Sequence, residues 1–174
     1  MPSDIDATIE RFRQEMAHVD EAAQVLLKGH LLIEEALTSI LERHVFHPEH
    51  LADARLSFHQ KSQLARSLAL RKNKLGEWEL MAAINALRNE ISHQLNSEDR
   101  DKKLARVKEL YFREAEESSA IEAVKRESDA VVLFGACAHC AGFLATYSED
   151  AKSVRRMIHA MDRSLNPDLP EFEL

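Results

Sequence analysis

Apolar residues recur along this chain at intervals of three and four, the spacing of one face of an α-helix. Ile5, Ile9, Phe12, Met16 and Val19 trace a first helix over 4–22, with Ser3 or Asp4 at its N-cap. Leu26, Ile33, Leu37 and Ile40 predict a second over 23–46, which Pro48 ends. A short helical turn follows at 48–54. Ser57 then caps a helix over 58–70, carried by Phe58, Leu64, Ala65 and Leu68. The basic turn Arg71-Lys72-Asn73-Lys74, followed by Gly76, leads into a long helix over 77–95. Periodicity places further helices at 98–117, 119–147 and 150–163. The expected architecture is all-α, an antiparallel bundle of about five to seven helices forming one domain over residues 1–165. Residues 166–174, with two prolines and no apolar period, read as a mobile acidic tail.

Composition agrees. Only 4 Gly and 4 Pro occur in 174 residues, too few turn-formers for a sandwich or barrel. Hydrophobic residues at 45% and charged ones at 30% describe a folded chain rather than a disordered one. The two cysteines lie three positions apart and cannot staple distant segments, so a reducing, cytoplasmic compartment is expected. The acidic N-terminus has no apolar core and is not a signal peptide. No run of 18 apolar residues exists, and no membrane partner is expected.

The net charge of −7 argues against a general nucleic-acid coat. Its distribution is more telling. Residues 1–50 carry net −6, residues 51–110 net +4, and residues 111–174 net −5. A basic middle between acidic ends points to local contact with an anion.

The helix over 77–95 carries the candidate chemistry. At 100° per residue, Leu80, Met81, Ile84, Leu87, Ile91 and Leu95 fall within about 120° and form its core stripe. Arg88 lies inside that stripe, where a guanidinium is costly unless paired or facing a polar cavity. Asn89 and His93, four apart, share another face beside Ala82 and Ala86. Arg88 and His93 sit about 140° apart and converge poorly within one chain. A site shared across a two-fold homodimer solves that geometry. The second helix is apolar around most of its circumference, so part of it is expected to face a second subunit.

The run Arg88-Asn89-Glu90-Ile91-Ser92-His93 resembles the signature of the HEPN superfamily: an Arg, often followed by a polar residue, and a His four to six residues on. The stretches Lys28–Leu37 and Leu56–Lys61 resemble the branch that contains the mannitol operon repressor. The resemblance spans residues 20–115. It implies a helical bundle that dimerises through the motif helices. It also implies either a metal-independent endoribonuclease, often a toxin or defence effector, or a member that only binds. In the first case Arg88, Asn89 and His93 are the catalytic set. Arg88 clamps phosphate with its forked donors, His93 moves a proton near neutral pH, and Asn89 orients it. RNA is then the substrate, Arg71, Lys72 and Lys74 form the rim of its groove, and an antitoxin or regulatory protein is a possible partner. The competing class is a non-catalytic regulator that binds a protein or nucleotide. A third reading is a structural oligomer with a buried Arg88–Glu34 ion pair.

Remaining features have structural readings. Glu34, on an apolar face with His30, is a carboxylate in need of a cation, and second-shell support of Arg88 is one role for it. Cys137-Ala138-His139-Cys140 lies among small residues, the composition of a close helix contact rather than of a metal site. His44, His47, His50 and His59 have no regular ligand spacing, and Trp78 reads as core. No phosphate loop, G-x-S-x-G elbow or H-E-x-x-H occurs, and no cofactor or metal is expected.

Overall fold

The computed structural model describes residues 4–17, 20–93, 98–116, 121–168 and 170. The described residues are all-helical, with no strand among them. The helices are α1 (Asp4–Met16), α2 (Glu21–His44), α3 (Pro48–Asp53), α4 (Phe58–Leu68), α5 (Glu77–His93), α6 (Glu98–Glu114), α7 (Ile121–Val124) and α8 (Asp129–Leu165).

Local chemistry sets several boundaries. Asp20 caps α2 by accepting from the Ala23 N–H at 2.9 Å. Ser57 caps α4 in a reciprocal capping box with Gln60, as its sequence position predicts. Pro48 does not terminate α2, which already ends at His44. It sits in the first turn of α3, where its missing N–H costs nothing. The expected Ser3 cap and the continuation of the first helix to Val19 lie outside the described residues.

Contact between α2 and α8 dominates the packing. Gly29 of α2 lies against Cys137 early in α8, and Arg43 near the end of α2 reaches Ser148 later in α8. Residue numbers rise together, so the two helices run parallel. This corrects the uniformly antiparallel bundle expected from sequence: five helices separate α2 from α8, enough chain to cross over. The antiparallel expectation holds for α5 and α6. Glu90 pairs with Lys103 near their turn, and Glu79 pairs with Arg113 at 2.9 Å at the far end. Lys108–Asp129, at 2.5 Å, joins α6 to the start of α8. Tyr147 of α8 donates to the Ala65 carbonyl of α4 at 2.7 Å, and burial pushes its phenol up to about 12.

Leu26, Ile33, Leu37, Leu80, Met81, Ile84, Leu87, Leu133 and Leu144 fill the centre with almost no exposure. Trp78 is buried there too, edge-on to Phe143, with its indole N–H donating to the Lys72 carbonyl at 2.7 Å. The close contact expected at the Cys-Ala-His-Cys run is also present. Cys137 and Cys140 are buried free thiols, and burial pushes Cys137 up to about 11 and Cys140 well above the usual thiol range.

Where the sequence predicts helices over 119–147 and 150–163, the chain forms the short α7 and then one helix of 37 residues beginning at Asp129. The polar run Ser148-Glu149-Asp150 reads as a break. Each member finds a partner on the helix surface instead: Ser148 accepts from Arg43, Glu149 pairs with Lys152 at 2.6 Å, and Asp150 with Lys72 at 2.7 Å. With no Pro or Gly among them, nothing stops the helix. Helix α8 also holds an 18-residue window of mean hydropathy 1.6, long and apolar enough by composition to cross a membrane. Half of that window is buried inside the bundle.

Candidate functional site

Arg88 is half-buried near the C-terminal end of α5, with Leu87 buried beside it. Its Nη1 donates to Asn89 Oδ1 at 3.2 Å, and Ser92 Oγ donates to the Arg88 carbonyl at 2.9 Å. Among the described residues no carboxylate pairs with this guanidinium. Asn89 is exposed one residue on. His93 ends α5, one turn beyond Asn89, and its side chain lies outside the described part.

The wall facing α5 is built by α2 and α4. His30 is 3% exposed, and its Nε2 lies 3.0 Å from Asn85 Oδ1. An amide oxygen there places the ring proton on Nε2 and leaves Nδ1, buried, with no partner. Phe58 of α4 stacks on the ring at 4.3 Å between centroids and 28° between planes. Burial holds His30 below the usual histidine range. The Asn85 bond opposes this, Arg88's positive charge lowers it further, and Glu34 acts the other way. His30 therefore stands neutral between a cation and an anion.

Glu34 reaches Lys61 of α4 at 2.9 Å rather than Arg88, both partners being mostly buried. The alternative in which Glu34 holds Arg88 is thereby corrected: the entry of α4 beside α2 brings an ammonium closer than the guanidinium of α5. A hollow of about 280 Å³ opens along this pair, lined by Leu31, Glu34, Thr38 and Lys61. Asn85, Phe58 and Lys61 were not singled out from the sequence as site residues. Asn85 alone had a visible signal, a polar side chain three residues before Arg88 on a largely apolar helix.

The basic turn stands apart from this cluster. Lys72 is committed to Asp150 at 2.7 Å and Thr146 at 3.0 Å, and Arg66 ties the turn down by donating to the Asn73 carbonyl at 2.6 Å. Arg71 and Lys74 are exposed. The turn precedes Glu77, so Arg88 lies about 16 Å further along α5. Arg71 and Lys72 instead line a separate hollow of about 500 Å³ with Leu70, Tyr147 and Asp150. A larger one, about 760 Å³, lies between the end of α2 and α8, with Arg43, Lys152, Arg155 and Arg156 facing Glu42 and Glu149.

His47, His50 and His59 are exposed, the rings of His47 and His50 standing 6.1 Å apart, and His44 is bonded to the Ile40 carbonyl at 2.8 Å. Among the described residues no three His, Cys, Asp or Glu side chains assemble as a ligand set. Comparison of the chain with known protein families, curated proteins and solved structures returns no match.

Proposed function

We propose that this chain is an RNA-cleaving protein of the HEPN kind, acting as a homodimer whose two α5 helices share one site and serving as a toxin or stress effector. One observation carries the reading: Arg88 is a half-buried guanidinium with a neutral amide, not a carboxylate, as its hydrogen-bond partner. Burying such a charge is costly, and a phosphate is the anion its forked donors fit best. In the proposed reaction a ribose 2′-OH attacks the adjacent phosphorus as one His93 accepts its proton. The P–O5′ bond breaks as the other His93 protonates the leaving oxygen. The products are a 2′,3′-cyclic phosphate and a 5′-OH. Arg88 stabilises the phosphorane charge and Asn89 orients the imidazole.

Single-stranded RNA incubated with clean protein in EDTA tests this. Cyclic-phosphate ends that disappear in both His93→Ala and Arg88→Ala support it. No cleavage by wild-type protein, or cleavage that persists in His93→Ala, refutes it. A second reading, the non-catalytic regulator binding a protein or nucleotide, is favoured by the neutralisation of Lys72 and the distance of the basic turn from Arg88. Binding of a mononucleotide that Arg88→Ala abolishes, without turnover of RNA, would distinguish it.

A further inference from the structure

The outer face of α8 is apolar for four turns. Val131, Phe134, Ala138, Ala141, Gly142 and Ala145 fall within about 100° of one another on the helix, and all six are exposed, Phe134 at 66%. No charged side chain interrupts this face before Glu149. Leu32 of α2, 61% exposed, widens it. Gly29 meets Cys137 and the two helices run parallel, so Leu32 stands level with Cys140. It lies seven residues before Ser39, which lines a hollow together with Glu149, and therefore opens to the same side.

The extent of this surface fits one standard protein interface. Leu32, Val131, Phe134 and the four small residues together present about 450 Å² of apolar surface, well inside the range of about 300–600 Å² in which a patch marks an interaction site. Each partner of a stable complex buries about 800 Å², of which about 55–65% is apolar, or about 450–520 Å². An uncharged face also offers an acidic or basic partner nothing to pair with.

Shape selects the partner. Ala138, Ala141, Gly142 and Ala145 stand at i, i+3, i+4 and i+7, the four corners of a hole with nothing larger than a methyl group at any of them. Around Gly142 the space is open for at least 4 Å. The centre of the hole lies about 5 Å beyond Ala138 along α8, and Phe134 about 6 Å before it. A two-fold axis at Ala138, normal to two antiparallel helices, therefore drops each Phe134 into the hole of the other. One patch carries both knob and hole, and the small residues let the helix axes approach to about 8 Å.

We infer that a second copy of this chain covers this face, its α8 packed antiparallel on the first about a two-fold axis at Ala138. The contact uses α8 and Leu32 and does not involve α5, so it holds whether or not the Arg88 site cleaves RNA.

Light scattering of the full chain at micromolar concentration reads the contact. Phe134→Glu should halve the wild-type mass, with helical circular dichroism unchanged because the ring lies off the core. Halving is expected from a dimer and equally from a tetramer in which α5 also pairs, so the result isolates this face from the Arg88 site. Ala138→Cys, on the axis, should form a disulfide-linked dimer under mild oxidation. Glu149→Cys, eleven residues on and about 33 Å from its copy along the helices, should not. A wild-type mass of 19.8 kDa overturns the inference. So does a mass that Phe134→Glu leaves unchanged, or equal cross-linking at both cysteine positions. Wild-type protein that scatters as one protomer and floats with phosphatidylcholine vesicles, a binding that Phe134→Glu abolishes, would give the face to lipid instead.

Discussion

Replacing glycine by alanine at two positions of this chain should change stability in opposite directions. Gly29 and Gly142 both sit inside helices, α2 and α8, where alanine is favoured over glycine by about 1 kcal/mol. At Gly142 an added Cβ meets nothing within 4 Å, so Gly142→Ala should keep that full gain. At Gly29 the same atom lies 2.7 Å from the Cys137 Cβ, with its Sγ closer still. Neither can swing away, because a Cβ is fixed to its backbone and the thiol is buried. The helices must part by about 1 Å, loosening the layer between Leu26, Ile33 and Leu133. Overpacking of that kind costs about 1–3 kcal/mol, and the upper end applies where backbone has to move. After the propensity gain, Gly29→Ala should be destabilised by about 1–2 kcal/mol, a separation of about 2–3 kcal/mol between the variants. Urea unfolding followed by circular dichroism reads this directly. In a double-mutant cycle, Cys137→Gly should relieve part of the Gly29→Ala penalty. Equal stabilisation by both alanines would refute the parallel α2–α8 contact on which the fold rests.

Further outcomes follow from single contacts. His30, held low by burial and by Arg88, takes up a proton more readily in the unfolded chain. Its contribution to stability is therefore complete above about pH 6.5 and is lost as pH falls toward the lowered folded value, by at most about 1.4 kcal/mol per pH unit. His30→Gln should show a shallower decline of urea midpoint between pH 7.5 and 5 than wild type, and identical slopes would count against the site. Ser57→Ala removes the hydroxyl half of the α4 capping box, leaving the backbone N–H bond to the Gln60 side chain, and should cost about 1 kcal/mol; an unchanged midpoint would mean the hydroxyl contributes nothing in solution.

Local patterns made much of the bundle legible. Ser57 announced its cap, the stripe from Leu80 to Leu87 its burial, and Trp78 its place in the core, because each depends on a few neighbouring residues. Features fixed by distant partners were hidden. Ser148, Glu149 and Asp150 read as a helix break until Arg43, Lys152 and Lys72 are seen beside them. Gly29 gives no sign in sequence that Cys137, 108 positions away, needs the space its side chain would occupy. The candidate site divides in the same way. Arg88 stood out because a guanidinium among apolar positions conflicts with its surroundings. Asn85 acquires meaning only from His30, 55 residues earlier. Lys72 looked free for an anion because its counter-charge, Asp150, lies on another helix.

The electrostatics around Arg88 separate a scaffold from a binding site. A structural ion pair would join Glu34 to Arg88 and satisfy both. The fold instead gives Glu34 to Lys61, which cancels the carboxylate's charge before it reaches the guanidinium. Around Arg88 stand the amides of Asn85 and Asn89, the Ser92 hydroxyl, and a histidine kept neutral partly by Arg88 itself. Each supplies dipoles without charge, so a positive potential survives around this half-buried side chain. Of the five N–H donors on the guanidinium, the bond to Asn89 engages one. Protonating His30 would add a second cation beside the first, and desolvation resists that. A bound phosphate would reverse the balance, drawing the imidazole toward its charged form. On the proposed reading, anion binding at Arg88 and the protonation of His30 are coupled in sign. That coupling is shared by the nuclease and the nucleotide-binding regulator, which differ only in whether His93 then moves a proton.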